Sequence, residues 1–273
     1  CYWFAQADGD MLSWYKANSE GLDVEIKEPN VFVSQIQGPK SMELLDNLID
    51  EPIANTWKYF DWVEITMSGE KVIISRTGFT NELGWEIYFR PENNVEKLGD
   101  LILNEGTKMG MILTATPSFR GRRIEAGLLS AGQDFTNDTN PFSVGLGRFV
   151  DLEKDDFIGK KALINADKQC RSWGIRVVDG IAKKGRSIKS NNQHIGKITS
   201  STWSPYQVCG VGIVLLDKSD VGPGLVVDVE CTDDKIRKAE LCELPMYDPK
   251  GEIVRGINKN IPTRPKPWQG IKN

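Results

Sequence analysis

Apolar and polar positions alternate along this chain in two textures. The first five residues, Cys1-Tyr2-Trp3-Phe4-Ala5, form an apolar run that predicts a buried strand. From Asp8 to Glu20 the spacing predicts a helix with Met11, Leu12 and Tyr15 inward. Val24 and Ile26 alternate with charges across 23–27, which predicts a half-buried strand. Residues 31–37 read as another strand, stopped by Gly38-Pro39. Pro39 suits the first turn of a helix that carries Leu44, Leu45 and Leu48 on one face. Residues 60–67 and 71–75 read as neighbouring strands around a turn at Ser68-Gly69, and 84–90 as a further strand. Residues 95–109 form an amphipathic pattern with Leu98, Leu101 and Ile102. From about residue 170 the texture changes to short β-rich runs at 172–178, 194–199, 210–216 and 225–231. Turns such as Lys184-Gly185 and Gly222-Pro223-Gly224 separate them, as in a small β-barrel or sandwich. The end, 258–273, is rich in Pro and Lys and reads as extended.

Composition narrows the class. The 273 residues suffice for one large domain or two modest ones, and 40% apolar with 26% charged residues is the balance of a soluble globular protein. Acidic residues exceed basic ones, 38 to 34, for a net charge of −4. That argues against a general nucleic-acid binder, which needs a basic surface to displace counterions. No apolar run reaches the roughly 18 residues of a transmembrane helix, and no secretory signal pattern is seen. Neither nucleic acid nor membrane is therefore an expected partner.

Five cysteines (Cys1, Cys170, Cys209, Cys231 and Cys242) show no close pairing. Their odd, low count predicts reduced thiols and a cytoplasmic location. The single histidine, His194, excludes a His-rich metal site and leaves a Ser-His-Asp mechanism only one candidate base. The chain opens on Cys1 in an apolar run, where a natural terminus is usually polar and loose, so the N-terminus reads as cut inside a longer protein.

The strand Trp85-Glu86-Ile87-Tyr88-Phe89 is the most informative segment. Alternation places Trp85, Ile87 and Phe89 on a core face and sets Glu86 beside Tyr88 on the other. A carboxylate there could accept two N–H donors from a planar heterocycle, as it accepts an Arg fork. The competing reading is a solvated strand face with a spare Glu. In Arg122-Arg123-Ile124-Glu125-Ala126-Gly127 the plain reading is a helix whose basic residues pair with Glu125 and which glycine closes. The glycines of Gly145-Leu146-Gly147 are not followed by Gly-Lys-Ser/Thr, so a nucleotide loop is rejected.

Together these segments resemble the folate-dependent aminomethyltransferases, the glycine cleavage T-protein family. Its Arg-Thr-Gly-Tyr-Thr-Gly-Glu-Asp-Gly-Phe-Glu-Ile motif stands as Arg76 to Ile87, and its Arg-Leu-Glu-Ala-Gly-Leu as Arg123 to Leu128. Its Asp-Phe-Ile-Gly-Lys stands as Asp156 to Lys160, and its C-terminal Gly-x-x-Thr-Ser-Gly-x-x-Ser-Pro as Gly196 to Pro205. Within the family, residues 21–26, Gln37 to Lys40, Arg122 to Gly127, Asn140-Pro141-Phe142 and Pro245 to Asp248 look nearest to the branch that demethylates dimethylsulfoniopropionate. Phe119 stands where the T-protein has an Arg serving substrate or folate.

The resemblance implies an α+β fold: a cloverleaf folate-binding domain of strand–helix subdomains, then a small C-terminal β-barrel. The expected boundaries are 1–165, 166–257 and an extended tail at 258–273. Tetrahydrofolate is the implied cofactor. Glu86 would hold its pterin, Tyr88, Phe79 and Phe60 would wall the pterin or the donor, and the folate tail would take a basic residue at the channel rim, Arg120, Arg122 or Arg148, with Arg122 the one named for the site. The implied reaction passes a methyl group from a sulfonium zwitterion to folate N5 by in-line attack, with an aminomethyl donor or a non-catalytic folate-binding module as alternatives. No catalytic residue is expected in this chain, because the family's aspartate would lie upstream of Cys1. A homodimer is the assembly allowed for.

Overall fold

A computed structural model describes residues 1–5, 11–54, 57–258 and 265–271. The chain divides into two compact units, one of Cys1–Ala115 with Lys250–Ile261, the other of Thr116–Pro249 with Pro262–Asn273.

The first unit contains α1 (Met11–Ala17), β1 (Phe32–Gln37), α2 (Ser41–Leu48), β2 (Trp62–Met67), β3 (Glu70–Ser75), β4 (Gly84–Phe89) and α3 (Val95–Lys108). Its four strands form an antiparallel sheet in the order β1-β4-β3-β2. One face is the core. Ile65, Met67, Val72, Ile74, Trp85 and Ile87 project from it against Leu44, Leu45 and Leu48 of α2 and Leu98 and Ile102 of α3. The leucine spacing of α2 puts all three on one side, so helix formation and burial demand the same sequence. α3 starts where the Asn94 side chain accepts the Lys97 amide at 3.0 Å.

The β2–β3 hairpin turns at Ser68 and Gly69, both at positive φ (52° and 79°), as a two-residue hairpin loop requires. The Asp50 carboxylate accepts both turn amides, at 3.1 and 2.9 Å, which fixes the register.

Two expected strands are absent. Residues 1–5 and 23–27 pair with no strand, and both segments are largely exposed. Alternation records which side chains could share a face; it does not supply a partner for the backbone. The apolar run at the start is used differently. Trp3 meets Tyr88 edge-on with centroids 6.1 Å apart, and Phe4 meets Tyr15 at 5.4 Å. α1 buries no residue, so Met11, Leu12 and Tyr15 are only half-covered; residues 8–10 of the expected helix lie outside the described residues.

The second unit holds α4 (Thr116–Glu125), α5 (Lys160–Asn165) and six strands: β5 (Ser172–Val177), β6 (Ser187–Ser190), β7 (Gln193–Ser204), β8 (Cys209–Leu216), β9 (Val226–Glu230) and β10 (Ile236–Cys242). They close into a barrel, β10-β5-β8-β7-β6-β9. Ile175, Val177, Ile188, Ile198, Val214, Val229 and Leu241 fill it. Four of these strands follow the hydrophobic pattern. β6 and β10 do not announce themselves, because each carries few large inward residues (Ile188 in one, Ala239 and Leu241 in the other). Closure by hydrogen bonding removes the sheet edges, which lets such weak strands persist.

Candidate functional site

Strand register builds the first site. Glu86 on β4 pairs with Gln35 of β1 and with Ser75 of β3, and Ser75 pairs with Trp62 of β2. Paired residues share a face, so Gln35, Glu86, Ser75 and Trp62 make one row across the sheet on the side away from the helices. The next row is Val33, Tyr88, Ile73 and Glu64. A sheet usually covers or solvates such a face. Here Trp62 stays 68% exposed in the same row as a half-buried carboxylate, and Phe60, two residues ahead of β2, is 70% exposed.

Glu86 has asymmetric partners. Its Oε2 accepts a short hydrogen bond from the Thr77 hydroxyl and a longer one, 3.4 Å, from the Tyr88 phenol. The Ser75 hydroxyl in turn bonds that of Thr77. Oε1 has no hydrogen-bond partner among the described residues, which leaves one oxygen open to a ligand. Burial first, then the Glu86 charge, raises the Tyr88 pKa above the ordinary phenol value. The same two causes, in the same order, raise that of Tyr59, whose ring sits 4.3 Å from Phe60. Both shifts favour the protonated phenol, and Tyr88 is the one that donates to the carboxylate.

The loop over this row is held from below. Gln37 donates to the Thr77 carbonyl at 3.2 Å and accepts the Thr80 hydroxyl at 3.0 Å. A Cβ on Gly78 would sit 2.4 Å from the Gln37 amide, so a side chain there would push Gln37 off these bonds. Gln35 accepts the Phe79 amide at 3.3 Å, and Phe79 is 42% exposed. Arg76, the first residue of the motif, is a buried strut. It donates to the Gly84 carbonyl at 2.9 Å and to the Val254 carbonyl at 3.0 Å, and burial lowers its pKa. Beside β2 lies a cavity of about 580 Å³ lined by Trp57, Phe60, Trp62, Val63 and Glu51 among others; it reaches Phe60 and does not include Glu86.

Arg122 belongs to the other unit. It pairs with Glu125 at 2.6 Å, and its guanidinium lies 4.1 Å from the centroid of the Tyr247 ring. Glu125 is buried, and its other oxygen accepts the Ser204 hydroxyl. Next to it, Arg123 forms a 2.8 Å pair with Asp134, which also accepts the Thr199 and Ser200 hydroxyls at 2.6 Å each. A register shift between Ile198 and Ser200 frees Thr199 for that bond. Thus the structure brings Glu86 and Tyr88 to one sheet face, with Phe79 on the loop beside them; it leaves Phe60 at positive φ ahead of β2, on the cavity rather than in the Glu86 row, and sets Arg122 beside Glu125 and Tyr247 in the other unit.

Comparison with known proteins identifies this architecture. Residues 2–154 match the GCVT N-terminal domain and residues 171–248 the glycine cleavage T-protein C-terminal barrel domain. The chain belongs to the glycine cleavage T-protein family. It is 33% identical over 243 residues to an aminomethyltransferase of Bacillus subtilis, covering 86% of this chain and 66% of that protein. It is 32% identical over 255 residues to one of Thermotoga maritima, covering 90% and 67%. The crystal structure of the glycine cleavage system aminomethyltransferase T from Bartonella henselae shares the fold, with a TM-score of 0.76 at 22% identity over 87% of this chain and 65% of that one. The chain spans about two thirds of the length of the curated relatives it matches.

T-protein family members use tetrahydrofolate as their one-carbon carrier. The Glu86 face fits that group: an open carboxylate oxygen for ring N–H donors, with aromatic side chains beside it. Sequence reading missed Ser75, Thr77, Gln35, Tyr59 and Trp62. Ser75 and Gln35 become visible only through cross-strand register, which no single strand encodes. Among the described residues, no group of three or more His, Cys, Asp and Glu side chains could hold a metal ion, and no helix is long and apolar enough to cross a membrane. His194 is exposed, 3.1 Å from Asp217.

Proposed function

We propose that this chain binds tetrahydrofolate with the pterin on Glu86 and serves aminomethyl transfer to folate, as the names of its relatives suggest. The single observation that carries the reading is the half-buried Glu86 with Oε2 fixed by hydroxyl donors and Oε1 open. A pterin offers a ring N–H and an exocyclic amino group side by side, and with Oε2 held by Thr77 and Tyr88 the open Oε1 is the atom that accepts from them. Tyr88, Phe60 and Phe79 supply apolar walls that exclude water from those bonds. Folate brings a nucleophilic nitrogen, N5, and the chain's part is to orient it toward a carbon that carries a leaving group. Alignment of two reactants supplies about 7–11 kcal/mol of such a barrier. Arg122 remains the basic candidate for the folate tail, where a carboxylate would share its guanidinium with Glu125.

A second reading, methyl transfer from a sulfonium zwitterion, draws support from Phe119 at the position of the family's arginine. A sulfonium favours aromatic faces by roughly 0.5–2 kcal/mol each. The donors separate the two readings. Turnover with an aminomethyl-lipoyl donor supports the first, and methyl-folate formed from dimethylsulfoniopropionate supports the second. The folate site itself is tested by calorimetry with 5-formyltetrahydrofolate. Glu86→Gln should weaken binding at least tenfold, since hydrogen bonds to a charged group contribute about 1.5–3 kcal/mol. Unchanged affinity would remove Glu86 from the site.

A further inference from the structure

We propose that Ser75 and Thr77 form a two-hydroxyl relay that positions Glu86, with Thr77 as the positioning residue that selects which carboxylate oxygen faces the ligand. The inference rests on the folate reading and deepens it. Ser75, the last residue of β3, is placed by register directly across from Glu86, and Thr77 in the loop that follows is brought to the same spot by its own hydrogen bonds. Both hydroxyls come within hydrogen-bonding reach of one another, and Thr77 also reaches Glu86 Oε2.

Proton counting fixes the direction. Thr77 has one hydroxyl proton. Given to Oε2, it leaves the Thr77 oxygen as an acceptor, so Ser75 must donate to it. Tyr88 adds its own proton to the same Oε2 at 3.4 Å. Both hydroxyls that reach the carboxylate, those of Thr77 and Tyr88, therefore go to Oε2, and none of the described residues donates to Oε1. The consequence is an oriented carboxylate. Without the Thr77 hydroxyl the carboxylate can rotate about its last bond, and the two oxygens compete for the same donors. Thr77 is itself held in place, because Gln37 donates to its carbonyl at 3.2 Å. Loss of the hydroxyl thus changes the hydrogen bond and leaves the loop anchored.

The test uses 5-formyltetrahydrofolate affinity of the whole chain, with melting temperature recorded beside it. Thr77→Val keeps the side-chain shape and removes the hydroxyl; affinity should fall about tenfold, the scale of one hydrogen bond to a charged acceptor. Thr77→Ser should restore affinity to within about twofold, because it returns the donor. Ser75→Ala, which removes only the outer donor, should give a smaller loss and stands in for Thr77→Val if that variant does not fold. In a Glu86→Gln background Thr77→Val should have no further effect. If Glu86→Gln weakens binding while Thr77→Val and Ser75→Ala do not, the relay is overturned and the folate reading stands. If Glu86→Gln itself leaves affinity unchanged, the folate reading fails. If Thr77→Ser loses affinity as Thr77→Val does, hydroxyl donation is not the cause and the proposal falls.

Discussion

The sheet unit and the barrel unit treat their carboxylates in opposite ways. In the barrel unit Asp134 accepts from Arg123, Thr199, Ser200 and the Ser130 amide, and Glu125 is paired with Arg122 and Ser204. In the sheet unit Glu86 has hydroxyl partners on one oxygen alone and forms no ion pair among the described residues. A carboxylate closed on all sides locks packing, since every lone pair is answered from within. One left partly unanswered retains acceptor strength for something arriving from outside. Completeness of hydrogen bonding, together with burial, distinguishes the scaffold acid from the site acid.

Substitutions can break or sharpen that contrast. The largest expected effect is on Asp134→Ala, which strands a buried guanidinium and two hydroxyls. It should cost about 3–5 kcal/mol of stability in urea denaturation. A loss below about 1 kcal/mol would mean that the Arg123 network is not a stability element. Glu86→Gln comes next and should reverse the pattern: about 1.5–3 kcal/mol lost from folate binding in calorimetry, with stability nearly unchanged. A Glu86→Gln protein destabilised as much as Asp134→Ala would make the two acids equivalent and erase the contrast. Ile74→Val, under the same sheet, gauges the core and should cost about 0.5–1.5 kcal/mol with folate affinity retained.

The smallest effect is one of pH. Burial and the Glu86 charge raise the Tyr88 pKa above 10, so the fold favours the neutral phenol. That contribution is complete below the unfolded phenol's value and is lost as pH climbs through the folded one. Stability should therefore fall on the alkaline side of pH 10, and Tyr88→Phe should make the fall shallower. An identical alkaline slope in wild type and Tyr88→Phe, followed by denaturation at each pH, would remove Tyr88 from the titration.

Much of this was legible in the sequence, for physical reasons that differ by element. β4 could be read because three large side chains alternate with two polar ones, and Trp85, Ile87 and Phe89 are indeed buried. α2 and α3 could be read because their leucines repeat at the helical period. Residues 1–5 misled because an apolar run has the same appearance whether it pairs with a strand or packs as separate aromatic contacts. β10 escaped because Ala239 is too small to mark a face. Glu86 and Tyr88 could be named from alternation, whereas Ser75 and Gln35 are brought to them across strand pairs far apart in sequence. Hydroxyls carry no hydrophobic periodicity, so only the register reveals them.

Arg76 has a consequence for how the protein is made. Its guanidinium bonds the carbonyl of Val254, and that residue belongs to the short segment the sheet unit recovers after the chain has traversed the barrel. During synthesis the sheet's strands leave the ribosome long before their last partner exists. The barrel strands are complete first, and the strut closes only after they have been made. A fragment stopping at residue 115 would keep every strand of the sheet and yet leave a buried cation facing an absent acceptor, at a cost of roughly 1–3 kcal/mol.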